Sequence, residues 1–291
     1  MRTLATPRRR LDAELVRREL AGSRTEAQQA IESGLVSVDG APAFKAATQV
    51  HQGQSIVVAG PPRAYVSRGG DKLTHGLDVF GVAVEGRRCL DAGVSTGGFT
   101  DCLLQRGAAH VLAYDVGYGQ VHERVRRDPR VTVTERTNVR DLTAADVPPP
   151  LPDLLVADLS FISLASVLPA LRGVTASDGE AVVLVKPQFE AGRADVGKGG
   201  VVRDPEVWRR SLVTVVRAAT AVGWSLAAAT ASPLLGPAGN VEFLVHLVAG
   251  PALGDEDRVD AVVSAAVAEG LSRIHARRAP GPAAATRRRS R

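Results

Sequence analysis

The sequence predicts an α/β protein in two parts: a sheet of parallel strands covered by helices on both faces, preceded by a small α+β module. Three observations carry this prediction. From residue 86 onward, short apolar strands alternate with amphipathic helices, the pattern of a doubly covered parallel sheet. Ahead of it, residues 8–58 hold two helical patterns followed by brief alternating strands. Finally, a strand ending at Ala92 runs into Gly93-Val94-Ser95-Thr96-Gly97-Gly98 before a helix. Such a turn lets bare backbone N–H groups approach a ligand, because glycine has no side chain to fend it off.

The elements follow in order. The first helical pattern sets Leu11, Leu15 and Leu20 on its inner side and Arg10, Arg17 and Arg18 elsewhere, and the second turns Ala27, Ala30 and Ile31 inward. Ser23 with Glu26 three residues later reads as a capping box that opens the second helix. Leu35-Val36-Ser37-Val38 alternates as a strand, Asp39-Gly40 turns the chain, and Ser55 to Val58 forms another strand. Pro61-Pro62 stiffens a linker over 61–66, and a helix runs from Ser67 through Phe80. Strands are then expected over 88–92, 110–115, 131–135, 153–158, 180–186, 225–231 and 241–248, with helices over 98–106, 119–127, 164–172 and 205–221. The expected domains are therefore 8–60, the linker 61–66, the sheet domain 67–250, and a C-terminal helix with a basic, disordered tail over 251–291.

Composition narrows the class. No stretch approaches the ~18 apolar residues of a membrane span, and no apolar signal core follows the N-terminus. The only cysteines, Cys89 and Cys102, have neither metal-ligand spacing nor the number for a disulfide framework. A soluble cytoplasmic monomer without metal is expected. The net charge of +5 is uneven: residues 1–72 carry 11 Lys/Arg and 7 Asp/Glu, residues 73–270 carry 18 and 24, and residues 271–291 carry 7 and none. A basic front and tail around an acidic body point to a polyanionic partner held from the ends.

Residues 8–58 resemble the RNA-binding domain named after ribosomal small-subunit protein S-four. The resemblance rests on Arg10-Leu11-Asp12, Leu15-Val16-Arg17-Arg18, Ser23-Arg24, Ala27 and Gly34-Leu35-Val36-Ser37-Val38-Asp39-Gly40. It implies phosphate contacts from basic residues on the paired helices, here Arg8, Arg10, Arg18 and Arg24, with Ser23, and Arg68 at the start of the next domain.

The glycine turn and an acid downstream identify the cofactor class. Asp115 closes Val111-Leu112-Ala113-Tyr114 and lies seventeen positions beyond Gly98, where a carboxylate can accept from both ribose hydroxyls of an adenosine. A dinucleotide loop wants glycine at its first, third and sixth positions, but this one has Gly93, Ser95 and Gly98. Its form resembles the S-adenosyl-L-methionine loop of Rossmann-like methyltransferases. That resemblance implies a cofactor set of Asp91, Gly93, Ser95, Thr96, Gly97, Gly98, Phe99, Asp115 and Asp141. Gly192-Arg193-Ala194-Asp195-Val196-Gly197-Lys198 nearly matches a Walker phosphate loop. Gly199 stands where Ser or Thr belongs and no helix pattern follows, so an ATPase is not expected.

Acceptor chemistry is read from the strand ends. Asp158-Leu159-Ser160-Phe161 stands where amino-group methyltransferases carry Asn/Asp-Pro-Pro-Tyr/Phe, and neither cysteine lies at a strand end suited to a nucleophile. Lys186 is the notable residue, since a lysine closing an apolar strand is costly unless it works. Lys72, Asp158, Lys186 and Glu242 reproduce the Lys-Asp-Lys-Glu order of FtsJ-like ribose methyltransferases. A ribose 2′-hydroxyl holds its proton far above neutral pH. A positioned amine can take that proton, or stabilise the developing alkoxide as an ammonium, while carboxylates orient it. Either Lys72 or Lys186 fits the part of base.

An S-four module fused to this pattern resembles the TlyA family over residues 8–250. Ser67-Arg68-Gly69-Gly70-Asp71-Lys72-Leu73 and Asp91 to Phe99 are the specific motifs, and Tyr65 departs from the tryptophan of the best-known members. The family implies methylation of cytidine ribose 2′-hydroxyls in ribosomal RNA of one or both subunits. Three other readings compete: a catalytically silent RNA-binding factor, a pseudouridine synthase echoed by Arg10-Leu11-Asp12, and a haemolysin, a label TlyA members also carry. Against these stand the intact four-residue set, the methyl-donor loop and the absence of a spanning segment.

Overall fold

The computed structural model describes residues 8–18, 20–21, 24–59, 64–250 and 256–278. The chain divides into two compact units, one ending at Ser67 and the other beginning at Arg68. The Ser23–Glu26 capping box, Pro61-Pro62 of the linker and the basic tail from residue 279 lie outside the described residues.

The first unit runs β1 (Arg8–Arg10), α1 (Leu11–Arg17), α2 (Arg24–Glu32), β2 (Val36–Val38), β3 (Ala41–Pro42), β4 (Gln49–His51) and β5 (Ile56–Val58). Strands pair antiparallel in the order β3-β2-β5, and β1 pairs with β4. The helix expected from residue 8 starts instead at Leu11. Arg8, Arg9 and Arg10 are exposed and offer no apolar stripe, whereas Leu11 is the first fully buried side chain. Asp39 and Gly40 form a two-residue hairpin with φ of 49° and 81°, the pair of positive values that a primed turn requires. Leu11, Leu15, Ala27, Ile31, Val36, Val50 and Ile56 make the core, with Leu20 and Ala30 only partly covered.

The second unit comprises α3 (Arg68–Phe80), β6 (Arg88–Ala92), α4 (Gly98–Gln105), β7 (His110–Tyr114), α5 (Glu123–Arg126), β8 (Val131–Thr134), β9 (Leu154–Ala157) and α6 (Leu164–Gly173). It continues through β10 (Glu180–Val185), α7 (Pro187–Glu190), α8 (Pro205–Ala221), β11 (Trp224–Ala231), β12 (Phe243–Ala249) and α9 (Glu256–Arg278). One seven-stranded sheet has the order β11-β12-β10-β9-β6-β7-β8. β10, β9, β6, β7 and β8 are parallel, as the alternation predicts, but β12 runs antiparallel to both neighbours. Its link to β11 spans only residues 232–242, too short for the crossover helix that a parallel strand needs.

The central strands are buried on both faces; every residue of β9 is covered. The helix expected over 119–127 shrinks to α5, because Gly119 sits at φ 69° and His122 caps the short turn by accepting from the Arg124 N–H. Among the described residues, no helix is long and apolar enough to cross a membrane.

Candidate active site

Sheet order reverses at β6, whose neighbours β7 and β9 lead to opposite edges, so the crevice at the carboxyl ends of β6 and β9 is where a ligand belongs. Gly93 stands there at φ 89°, and a Cβ on it would lie 2.9 Å from both the Asp158 carbonyl oxygen and Leu159 Cδ2. Only glycine lets the loop after β6 pass so close to the end of β9. Ser95 also adopts a left-handed φ of 48°. Its N–H donates to Asp115 Oδ2 at 2.7 Å, and the Gly117 N–H donates to Oδ1 at 2.7 Å. These two bonds hold the carboxylate at the edge of an open cavity of about 320 Å³.

Gly93, Ser95, Asp115, Val116, Gly117 and Gln120 form one wall of that cavity, Thr137 to Val139 another, and Asp158 to Ile162 a third. Thr96, Gly97, Gly98 and Phe99 lie outside the lining and shape the loop from behind: Gly97 caps α4 at φ 97°, and Phe99 is buried. Asp141 is exposed and off the cavity wall, which carries Asn138 and Val139 in its place. Asn138 was missed in the sequence. Its signal was a polar side chain four residues past the last residue of β8, where it also caps a short 3-10 turn by accepting from the Arg140 N–H at 3.1 Å.

Asp91, the penultimate residue of β6, is fully buried. Thr100 Oγ1 donates to its Oδ2 at 2.6 Å, while Oδ1 has no hydrogen-bond partner among the described residues. Burial pushes this carboxyl up to about 7, with Thr100 opposing the rise and Asp158 adding to it. A half-satisfied buried carboxylate is costly and suits a cation arriving from outside the protein. This orphaned oxygen, the close-packed Gly93 and the ribose-type acceptor Asp115 together fit the ammonium and adenosine of S-adenosylmethionine.

The four candidate catalytic residues come together as two ion pairs. Lys72, in the second turn of α3, donates to Glu242 Oε2 at 2.5 Å, and both are buried. Lys186, at the end of β10, lies 2.6 Å from Asp158 Oδ1 and donates to Ser160 Oγ at 2.9 Å. Burial alone would raise the Asp158 carboxyl, but the ammonium groups of Lys186 and Lys72 outweigh it and hold the group below the usual range. Asp158 thus feels both lysines. Asp158 and Ser160 line the cavity, whereas Lys186, Lys72 and Glu242 lie behind its wall.

The loop joining β11 to β12 presses on this set. A Cβ at Gly236 would run into Glu242 Oε1, which explains the glycine. Arg68, expected to face RNA, is half-buried and donates from Nη2 to the Leu235 carbonyl at 2.8 Å, fastening that loop to α3. At the cavity mouth Phe161 is 91% exposed at φ 66°, its ring 5.3 Å from that of Phe189. Cys89 and Cys102 are buried, and burial pushes the Cys89 thiol up to about 12, away from any nucleophilic form. The Walker-like segment closes as a turn bridged between Gly197 and Val201, with no helix N-terminus behind it until Pro205.

In the first unit the expected RNA contacts separate. Arg8 is exposed on β1. Arg10 and Arg24 both donate to Asp12. Arg18 departs from expectation: it donates to Glu14 and to the carbonyls of Gln54, Gln52 and His51 at 2.7, 3.0 and 3.2 Å, tying α1 to the turn after β4. Charge composition cannot tell such a tie from a solvated arginine. Ser23 lies outside the described residues.

Comparison with known proteins bears on both units. The FtsJ-like methyltransferase family matches residues 65–249, and the S4 domain matches residues 9–56. The 16S/23S rRNA (cytidine-2'-O)-methyltransferase TlyA of Mycobacterium tuberculosis is 56% identical over 82% of this chain and 90% of its own. Hemolysin A of Brachyspira hyodysenteriae is 38% identical over 78% of this chain and 94% of its own. A solved structure from Streptococcus thermophilus shares 37% identity with a TM-score of 0.75, covering 93% of this chain and 100% of that one.

Proposed function

The chain belongs to the FtsJ-like methyltransferase family, and from that premise we propose that it methylates a ribose 2′-hydroxyl of ribosomal RNA, at cytidine in 16S rRNA, 23S rRNA or both. The observation that carries the reading is the Lys186–Asp158 pair, whose carboxylate lines the cofactor-sized cavity, backed by the buried Lys72–Glu242 pair. Asp91, Gly93, Ser95 and Asp115 would hold S-adenosylmethionine, which supplies an activated methyl group on a sulfonium.

The chain's own residues act on the acceptor. An ammonium has three N–H donors; Ser160 accepts from one on Lys186 and Asp158 holds the charge as an ion pair, leaving at least one donor for the 2′-oxygen. Lys186 therefore orients that oxygen and, through its lone pair or its charge, removes the proton or steadies the alkoxide. Asp158, which lines the cavity, holds the amine beside it in an ion pair. Lys72, paired with Glu242, adds positive potential at Asp158 without lining the cavity. Phe161 offers an exposed aromatic face at the mouth, suited to stacking on an unpaired base.

The test is methyl transfer from labelled cofactor to ribosomal RNA, with the 2′-O-methyl position mapped on the product. Lys186→Ala is expected to abolish transfer while sparing RNA binding. Undiminished transfer by that variant would overturn the assignment.

A further inference from the structure

Arg10-Leu11-Asp12, which superficially echoes a catalytic aspartate motif, has no part in the methyl-transfer site. Asp12 is fully buried, yet two of its partners are not: the Arg10 side chain is 43% exposed and that of Arg24 is 59% exposed. Arg10 grips Asp12 with both ends of its fork, Nε to Oδ1 at 3.0 Å and Nη2 to Oδ2 at 2.9 Å. Arg24 Nη2 donates to the same Oδ2 at 3.0 Å, as does Gln28 Nε2 at 3.0 Å, and the Ala13 N–H closes Oδ1 at 2.9 Å. Every lone-pair direction of the carboxylate is used, so Asp12 is no nucleophile.

One carboxylate thus fixes two outward-facing guanidinium groups that rise from different elements, β1 and α2. Sharing one oxygen, their Nη2 atoms lie no more than about 6 Å apart, a separation that one phosphate with ~2.8 Å charge-assisted bonds on either side can span. Each arginine leaves further N–H donors outward, because a guanidinium has five. A free arginine loses side-chain freedom when it engages a ligand; one already held loses less.

We propose that Asp12 is a positioning residue that presents Arg10 and Arg24 as a preformed two-pronged grip for a phosphate of the RNA backbone. The proposal rests on the reading of the chain as an RNA-acting enzyme, and its test separates the two. Its central consequence runs against simple electrostatics. Asp12→Asn removes a negative charge from an RNA-binding surface, so arginines acting as independent charges would bind RNA more tightly. A grip organised by Asp12 binds more weakly.

The experiment measures affinity of the full chain for a small-subunit ribosomal RNA transcript over a salt series, alongside thermal melting. Asp12→Asn is expected to weaken binding roughly fivefold, the scale of one extra side chain to immobilise, while the slope of log affinity against log salt holds, since no cation is lost. Arg10→Ala should weaken binding and also reduce the slope by about one. Arg24→Lys keeps the charge but not the fork, and should cost a similar factor to Asp12→Asn without multiplying it in the double variant. Equal or tighter binding by Asp12→Asn overturns the proposal, as does a collapse of slope and melting together, which would make Asp12 a support of the fold. If Asp12→Asn does not fold, Arg24→Lys decides: undiminished binding overturns the grip. Failure of the unaltered chain to bind the transcript would instead overturn the RNA reading itself.

Discussion

Replacing Asp91 by asparagine should stabilise the cofactor-free protein and weaken its hold on cofactor, with a pH dependence that identifies the cause. Burial, partly opposed by Thr100, raises the Asp91 carboxyl from 3.8 to about 7. A carboxyl whose folded pKa exceeds its unfolded value favours the fold fully below the unfolded pKa, and that contribution is lost as pH rises through the folded one. About three pKa units at 1.36 kcal/mol each set the ceiling near 4 kcal/mol, reached above neutral pH. At about pH 5.5 the same linkage gives roughly 2 kcal/mol. Asparagine has no such titration, and its amide can still accept from Thr100.

The stability gap between Asp91→Asn and the natural chain should therefore widen by about 2 kcal/mol from pH 5.5 to pH 8. Denaturant unfolding without cofactor, followed by a signal from the sheet domain, measures it. Calorimetric titration with S-adenosylmethionine should show affinity falling roughly 10- to 100-fold, the scale of a charged hydrogen bond of about 1.5–3 kcal/mol. A gap that ignores pH would refute the desolvation argument, and unchanged affinity would refute the pairing of Asp91 with the cofactor's ammonium.

Glu242→Gln should cost about 3–5 kcal/mol, because Lys72 is left buried and unpaired. Lys72→Met with Glu242→Leu should recover most of that stability in urea unfolding and none of the methyl transfer. Ser160→Ala should lower kcat roughly tenfold with little change in KM for cofactor. Because Ser160 Oγ accepts from the Lys186 amine, Ser160→Thr should restore the rate. Arg18→Ala should lower the unfolding free energy of the first unit by about 1–3 kcal/mol, since three carbonyls and Glu14 lose a donor. Cofactor affinity should not change.

Most of the parallel strands were legible because they are apolar runs with a polar residue at or beside the end, and those residues, Asp91, Asp115, Asp158 and Lys186, are what a sheet of this topology gathers at the carboxyl ends of its strands. Lys186 stood out since packing alone does not explain an amine after Val182 to Val185. The direction of β12 was not legible from its own residues; it depends on the length of the 232–242 link. Asn138 escaped notice because no helix follows β8 to keep the count of positions in frame, so the nearby acid Asp141 drew the assignment. Ser160 escaped for a different reason: a serine's role depends on which cation its oxygen faces. For the arginines, composition reports charge but not direction, and Arg18 points at carbonyls while Arg10 and Arg24 keep an open face.

A side chain at Gly93 would meet the carbonyl of Asp158, so the donor loop and the strand end that carries the acceptor machinery leave no room between them for a methyl group. Two ligands separated by such a partition are thermodynamically linked. If cofactor draws the Gly93 loop closer, Asp158 moves with it and Lys186 is re-aimed, and RNA that settles Lys186 pushes back on the cofactor by the same factor. A single methyl group added at residue 93, at φ 89° and against that carbonyl, would disturb both sides of the contact at once.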